Sequence, residues 1–237
     1  MFEIIKNKPL AKALAVLCAV LLVIIIFLIP LRAYIYNSGT YMNLYEKNDV
    51  FGEIDKDDAI KLTAGIISLL RYGSNIDEFR LKSSYSFFTS DEISHLYDVR
   101  ILIQKFLITL YACIVLFLIF AFLIIQKSVL SYLKNISNIF IGSSCIVILL
   151  ILLLYFFSSN FIFIFERFHH LFFPQGNWAF PEGSLLITLL PLNFFYDFFI
   201  KILVTAMIIS VILLLTGIIF YIIYRIKSGR NERVSLK

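Results

Sequence analysis

Four long apolar runs alternate with polar segments along this chain. Charges are almost absent from these runs, which are Leu10–Ile29, Phe106–Ile125, Ile139–Phe157 and Phe198–Tyr224: only Lys12 falls in the first, near its start, and only Lys201 in the last. A helix rises about 1.5 Å per residue, so about 20 residues cross the roughly 30 Å hydrocarbon core of a bilayer. The pattern therefore predicts four transmembrane helices, at residues 10–30, 104–126, 139–158 and 198–224.

The polar segments between these runs differ in length and in charge. Segments 1–9, 127–138 and 225–237 are short and basic, whereas 31–103 and 159–197 are longer. Because short cytoplasmic segments carry an excess of Lys and Arg, the three short segments are predicted to be cytoplasmic. Segments longer than about 60 residues translocate largely regardless of charge. The predicted fold is an α-helical integral membrane protein with both termini in the cytoplasm, capped by a small mixed extracytoplasmic domain.

Composition agrees with this architecture and excludes a soluble globular domain. Hydrophobic residues make up 60% of the 237 residues, and the mean hydropathy is +0.91. The net charge of +5 does not indicate nucleic-acid binding, because topology accounts for where the cations lie. We therefore expect membrane lipids as neighbours, no nucleic-acid partner and a monomeric chain.

Local patterns predict the elements of segment 31–103. Tyr34–Tyr41 alternates weakly around Ser38-Gly39, which favours an extended segment or a short hairpin. Asp57–Tyr72 carries apolar residues at helical spacing. Ser83–Phe88 alternates again. The segment is therefore predicted to be a small mixed domain that leans on the membrane helices.

Thr89 and Glu92 have the spacing of a capping box, which starts a helix. That helix is predicted to run through His95 into the second span. Asp91 lies four residues before His95 and Asp98 three after it, so both carboxylates can lie on its face of the helix. A carboxylate bound to one imidazole nitrogen fixes the tautomer and raises the basicity of the ring. The simpler alternative is that Asp91 complements the helix dipole and His95 is a polar cap on an interfacial helix.

A histidine doublet lies in the densely aromatic part of segment 159–197. His169 and His170 stand among the phenylalanines of Phe161–Phe173. An aromatic belt at the membrane interface explains the phenylalanines, but ionisable groups near membrane depth are costly and indicate function. Topology places this doublet on the same side of the bilayer as His95, so the two patches can form an acid–base pair.

Turn and helix signals follow the doublet. Pro174–Asn177 is predicted to be a turn. Leu185–Leu190 is apolar but short, which favours a re-entrant or interfacial helix before Pro191. Asp197 is predicted to cap the fourth span. The chain shows no His, Cys, Asp or Glu spacing typical of a zinc site, so no metal is expected.

Short motifs in a fixed order carry a family resemblance. They are Phe88-Thr89 through His95-Leu96-Tyr97-Asp98-Val99, Phe168-His169 through Phe172-Phe173, Trp178-x-Phe180, Leu190-Pro191, Phe194-Phe195 and Asp197. With these motifs, the order of the spans and the total length, the chain resembles the lipoprotein intramolecular transacylase (Lit) family of Gram-positive bacteria. The resemblance covers nearly the whole chain.

The resemblance implies an acyltransferase of the bacterial cell membrane. Its substrate is a diacylated lipoprotein, whose N-terminal cysteine carries a diacylglycerol on sulfur. The implied reaction moves the sn-2 acyl chain to the α-amine of the same cysteine, which gives a lyso-form lipoprotein. The resemblance places the active site on the extracytoplasmic face and implies no cofactor.

Two histidines suit this chemistry as general base and general acid. We expect His95 to deprotonate the α-ammonium, with Asp98 or Asp91 orienting its ring. His169 then polarises the ester carbonyl or protonates the leaving oxygen, although the two roles can be exchanged. Within the doublet, His169 matches the family motif, and His170 remains a supporting candidate.

Apolar side chains beside the doublet are candidates for holding acyl chains. They are Phe172, Phe173 and Trp178, for which an aromatic belt is the alternative interpretation. Two other functions stay open from the sequence: a non-catalytic membrane scaffold or transporter accessory protein, and an intramembrane metallohydrolase.

Overall fold

The computed structural model describes residues 8–72, 87–124 and 129–235, which form helices joined by turns and loops. The elements are α1 (Lys8–Ile35), α2 (Ser38–Lys47), α3 (Val50–Glu53), α4 (Lys56–Tyr72), α5 (Ser90–Leu123), α6 (Val129–Phe157), a 3₁₀ turn (Ser158–Asn160), α7 (Phe161–Phe172), α8 (Leu185–Leu189) and α9 (Leu192–Ser235). Most of the predicted alternation at Ser83–Phe88, and the ends of the predicted cytoplasmic segments, lie outside the described residues.

Four helical stretches within the described ranges are long and apolar enough to cross a membrane. They are Pro9–Ile35, Ser90–Leu123, Val129–Phe172 and Leu192–Gly229. Each contains one of the four predicted spans, except that the second ends before residues 124–126; of these, Ile124 follows the helix, and 125–126 lie outside the described residues. The predicted number of apolar helices is therefore confirmed, while the orientation of the termini stays a prediction.

The prediction of an extended segment or hairpin at Tyr34–Tyr41 is wrong. Helix α1 continues through Pro30 to Ile35, and Asn37 then caps α2, with its Oδ1 accepting from the N–H of Thr40 at 3.1 Å. Asparagine is a favoured N-cap residue, so this polar stretch starts a helix instead of turning a hairpin. Over its described residues, segment 31–103 is helical, and the predicted mixed character is not seen there.

The chain divides into two compact units, of which the first comprises Met1–Ile29, Thr109–Leu154 and Leu203–Lys237. Helices α6 and α9 approach closely at Gly217, where an added Cβ would lie 2.9 Å from Ile141 Cγ1. The hydroxyl of Ser137 donates to the Gly217 carbonyl at 2.8 Å. Small residues let apolar helices meet at short range, and a hydroxyl between them adds a directional bond.

The second unit comprises Pro30–Ile108 and Tyr155–Ile202. Its core is centred on Tyr45, which is fully buried and whose hydroxyl bonds to Thr63 Oγ1 at 2.9 Å. The hydroxyl of Tyr41 donates to the Ile35 carbonyl at 2.9 Å. Burial raises the pKa of both phenols, so their hydroxyls remain protonated and available as donors. These bonds connect α2 to α4 and to the end of α1.

Asp197 lies inside α9, so the prediction that it caps the fourth span is wrong. The helix begins five residues earlier, at Leu192, directly after Pro191. The Asp197 carboxylate instead accepts from Lys47 Nζ at 2.6 Å and from Asn48 Nδ2 at 3.0 Å. These bonds connect the end of α2 to α9 within the second unit.

Candidate active site

The capping box predicted at the start of α5 is confirmed. The Thr89 N–H donates to Glu92 Oε2 at 2.7 Å, and the Glu92 N–H donates to Thr89 Oγ1 at 3.3 Å. The Thr89 hydroxyl donates to the same Glu92 oxygen at 2.9 Å. The helix starts at Ser90, and His95 is therefore carried on its second turn, where its side chain is buried.

Helix α7 carries the second buried histidine. Asn160 Oδ1 accepts from the N–H of Phe163 at 3.3 Å and caps this helix. Near the other end, His169 Nδ1 is 2.7 Å from the carbonyl oxygen of Phe165, one turn earlier. A carbonyl oxygen only accepts, so Nδ1 carries the hydrogen. In the neutral ring, the lone pair of His169 is therefore on Nε2.

The structure brings His95 and His169 together. Their ring centroids are 5.9 Å apart, and the rings are inclined by 28°. Both side chains are 7% exposed. Phe173 contacts both rings, at centroid distances of 4.9 Å from His95 and 5.7 Å from His169. The Phe180 ring centroid lies 5.6 Å from that of His95. Two imidazoles thus share one largely apolar site.

The remaining aromatic candidates take different positions. The Trp178 ring lies 4.8 Å from His169, and its indole N–H is buried with no hydrogen-bond partner in the described chain. His170 is exposed and contacts only the Trp178 ring among the described ring contacts, at 5.2 Å. Phe172 is 37% exposed and contacts Phe106, whereas Phe173 is buried. Phe173 and Trp178 therefore border the histidine pair directly.

The two aspartates on α5 also differ. Asp98 Oδ2 accepts from Gln175 Nε2 at 2.9 Å and from Asn177 Nδ2 at 2.7 Å. Asp91 is exposed in the first turn of α5. Within the described ranges, His95 Nδ1 has no hydrogen-bond partner. Asp98 therefore binds the loop after α7 and does not bond to the Nδ1 of His95.

Three polar interactions that shape the site were not predicted from the sequence. They are made by Gln175, by Asn177 and by Glu92, whose carboxylate also binds outside its own capping box. Glu92 is 1% exposed, and its Oε1 accepts from the N–H of Leu186, at the start of α8, at 2.8 Å. Gln175 and Asn177 belong to the predicted turn after α7, which is confirmed, with Gly176 at φ +80°. The turn signal was present in the sequence, but the bonds to Asp98 span 77 and 79 residues.

Among the described residues, no three His, Cys, Asp or Glu side chains are grouped as metal ligands. The site consists instead of two imidazoles, aromatic rings, and amide and carboxylate groups that bind one another. Burial lowers the pKa of both imidazoles, that of His95 to about 4, so both rings are neutral near pH 7 and able to accept a proton.

Comparisons with known proteins connect this geometry to a family. Residues 16–195 match the sequence model of the family described as "Lipoprotein intramolecular transacylase Lit". The solved structure of the membrane-integral Lit from Bacillus cereus is 20% identical, with a TM-score of 0.69 over 96% of this chain and 100% of that one. A histidine-to-arginine variant of the same protein gives 21% identity and a TM-score of 0.68, over 95% of each chain.

A sequence relative is also found. An uncharacterized protein of Aquifex aeolicus (strain VF5) is 26% identical over 169 residues, which cover 70% of this chain and 74% of that protein. The structural matches show a common fold, and the family match covers more than half of this chain.

Proposed function

This chain belongs to the lipoprotein intramolecular transacylase family, and from that premise we propose how its second unit carries out the acyl transfer. It is a multi-pass membrane acyltransferase that acts on lipoproteins. In our proposal, the sn-2 acyl chain of an S-diacylglyceryl cysteine moves to the α-amine of the same cysteine. The carbon–nitrogen bond forms as the ester carbon–oxygen bond breaks, and the product is the lyso-form lipoprotein.

The observation that supports this proposal most directly is the pair of buried imidazoles, 5.9 Å apart. An α-ammonium, with a pKa of about 8, must lose a proton before it attacks an ester. The glycerol oxygen must gain a proton as it leaves. One imidazole for each task meets both needs, and no acyl-enzyme is required because amine and ester are in one molecule.

His95 is assigned to the amine. It removes a proton from the ammonium, and the nitrogen loses a second proton as the amide forms. His169 is assigned to the ester. Its Nδ1–H donates to the Phe165 carbonyl, so its Nε2 is the nitrogen that transfers protons. That nitrogen takes up one of the released protons and passes it to the glycerol oxygen. The remaining proton is released to water, so the reaction is balanced.

Trp178 is assigned a second role beside that of an apolar contact. Its indole N–H is a buried donor with no partner among the described residues, and its ring lies next to His169. An ester carbonyl becomes an oxyanion in the transition state, and donors aimed at that oxygen lower the barrier. We assign the Trp178 N–H to this oxygen, while Phe172 and Phe173 contact the acyl chains.

Much of the rate acceleration is expected from positioning. Amine and ester are tethered in one substrate, and a near-attack pose supplies about 7–11 kcal/mol in well-oriented intramolecular reactions. We place the second unit on the extracytoplasmic face, since the short basic segments of the chain favour the cytoplasm. Membrane lipids and a diacylated lipoprotein are the expected partners of a monomeric chain.

The test is expression in a host whose lipoproteins stay diacylated, with mass spectrometry of the lipoprotein N-termini. We expect N-acyl lyso-form termini with the unchanged chain, and none with His95→Ala or His169→Ala at matched membrane abundance. The control is His170→Ala, which removes an exposed imidazole adjacent to His169. Full activity of either buried-histidine variant would refute the assigned roles, and loss in His170→Ala alone would transfer the role to that residue. Diacyl termini with the folded, unchanged chain would favour the scaffold function.

A further inference from the structure

Besides the Trp178 indole N–H, two further buried polar atoms near the histidine pair lack hydrogen-bond partners among the described residues. They are Nδ1 of His95 and Oδ1 of Asn177, neither of which is bonded within the described part of the chain. Buried polar atoms are nearly always bonded in native proteins, so an unbonded pair calls for an explanation. Burial lowers the pKa of His95, whereas the Asn177 side chain acts in the opposite direction, as an oxygen that accepts from the ring would.

The nitrogen of the Asn177 side-chain amide, in contrast, is hydrogen-bonded. Asn177 Nδ2 donates to Asp98 Oδ2 at 2.7 Å. An ionised carboxylate only accepts hydrogen bonds, so the amide must present its NH₂ to Asp98 and its carbonyl oxygen elsewhere. Asp98 and His95 are three residues apart on α5, one turn of the same helix, which brings the amide near the imidazole.

We propose that Asn177 is the positioning residue for His95: its Oδ1 accepts from the Nδ1–H of His95 in the working site, and Asp98 acts on His95 through this amide. The inference rests on the proposed function, in which His95 deprotonates the substrate amine. With the hydrogen fixed on Nδ1, the lone pair of the neutral ring is on Nε2. The Phe165 carbonyl imposes the same tautomer on His169, so both rings present Nε2 to the substrate.

Gln175 provides a matched control. It donates to the same Asp98 oxygen at 2.9 Å and belongs to the same turn, but its side chain is exposed, unlike that of Asn177. Gln175→Ala therefore weakens the anchoring of the loop to α5 while leaving the Asn177 amide in place. Asn177→Ala removes both the bond to Asp98 and the acceptor for His95.

The first readout is independent of catalysis. The chain has three histidines, so ¹⁵N-histidine NMR of the purified protein in micelles gives few signals, which His170→Gln and His169→Gln assign. In the unchanged chain and in Gln175→Ala, neutral His95 is expected as the Nδ1–H tautomer. In Asn177→Ala, it is expected as a mixture of tautomers, with His169 unchanged. A His95 tautomer unaltered by Asn177→Ala would overturn the proposal, whatever the enzyme's activity.

The second readout is turnover of a diacylated lipopeptide in micelles. We expect Asn177→Ala to lower kcat about 10- to 100-fold with little change in KM, as for other groups that orient a functional histidine. Gln175→Ala is expected to lower it less than about threefold, since the base keeps its tautomer. Equal losses in the two variants, with an unaltered tautomer, would show that the loop only holds the fold together.

A double substitution tests the proposal even if the Asn177→Ala variant does not fold. Asn177→Asp keeps an acceptor for His95 but sets two carboxylates against each other, and Asp98→Asn removes the charge that orients the amide. Combined, the two substitutions restore a donor–acceptor pair with its ends reversed, and leave a carboxylate oxygen for His95. The double variant should recover activity and the Nδ1–H tautomer relative to Asn177→Asp alone. Failure to recover either the activity or the tautomer would contradict the proposal that Asp98 acts on His95 through the Asn177 amide.

Discussion

Glu92 holds two segments of the second unit together through three hydrogen bonds, and Glu92→Gln tests how much this arrangement contributes. The buried carboxylate accepts from the N–H and hydroxyl of Thr89 at 2.7 and 2.9 Å, and from the Leu186 N–H at 2.8 Å. Glutamine offers one oxygen and one NH₂ group. Whichever way its amide turns, the backbone N–H of either Thr89 or Leu186 faces another donor and loses its acceptor.

The loss of stability in Glu92→Gln follows from these bonds. A hydrogen bond to a charged group contributes about 1.5–3 kcal/mol, and an unsatisfied buried donor costs about 1–3 kcal/mol. Since the Thr89 hydroxyl can rotate to accept from the new amide, part of the loss is recovered. We therefore expect Glu92→Gln to lower the free energy of unfolding of the second unit by about 2–4 kcal/mol.

The assay is denaturant unfolding in micelles, monitored by the fluorescence of Trp178, the single tryptophan of the chain, which lies in this unit. Amide hydrogen exchange at Leu186 gives a local readout. The control is Glu182→Gln, which alters an exposed glutamate nearby and should change the stability by no more than about 0.5 kcal/mol. If Glu92→Gln behaves like this control, the carboxylate does not hold α8 to α5 in the way described.

Three further predictions concern other contacts. Trp178→Phe keeps an aromatic ring but removes the indole N–H, so lipopeptide turnover should fall about 100-fold or more while thermal stability is retained; unchanged turnover would reject the oxyanion role. Gly217→Ala should destabilise the first unit by about 1–3 kcal/mol in the same unfolding assay, because the added Cβ contacts α6. In the control, Gly142→Ala, the added Cβ has no atom within 4 Å, so the stability should be unchanged or higher. Lys47→Met removes a cation that is 65% exposed, so its bond to Asp197 should contribute less than about 1 kcal/mol, and a larger loss on denaturant unfolding would contradict this.

The sequence was sufficient for features that depend on neighbouring residues or on length. Four apolar runs predicted four long helices, because only length and hydrophobicity decide whether a helix can span a bilayer. The capping box at Thr89 was found because its bonds join residues three apart. The helix predicted at Asp57–Tyr72 is present as Lys56–Tyr72 for the same local reason, helical spacing of apolar residues.

Features decided by distant contacts were missed or misplaced. Asn37 looked like part of a turn, since asparagine favours both turns and N-caps, and the residues after it decide between them. Asp197 looked like a cap, yet its partners Lys47 and Asn48 are 150 and 149 residues away in sequence. A single sequence gives no measure of such pairings. The relation between Asp98 and Asn177 was hidden for the same reason.

The environment of His95 shows how local and distant contacts combine. Glu92 precedes it by three residues and Asp98 comes three after it, so one carboxylate stands a turn away on either side along α5. Glu92 binds the start of α8, and Asp98 binds the turn after α7. The loop between these two points carries Trp178 and Phe180, which contact the two imidazoles. Because both ends of that loop are bound to the helix that carries His95, the bonds to α5 help to position the rings of Trp178 and Phe180. The surroundings of His95 therefore depend on α5, whereas His169 is held by its own helix through the Phe165 carbonyl.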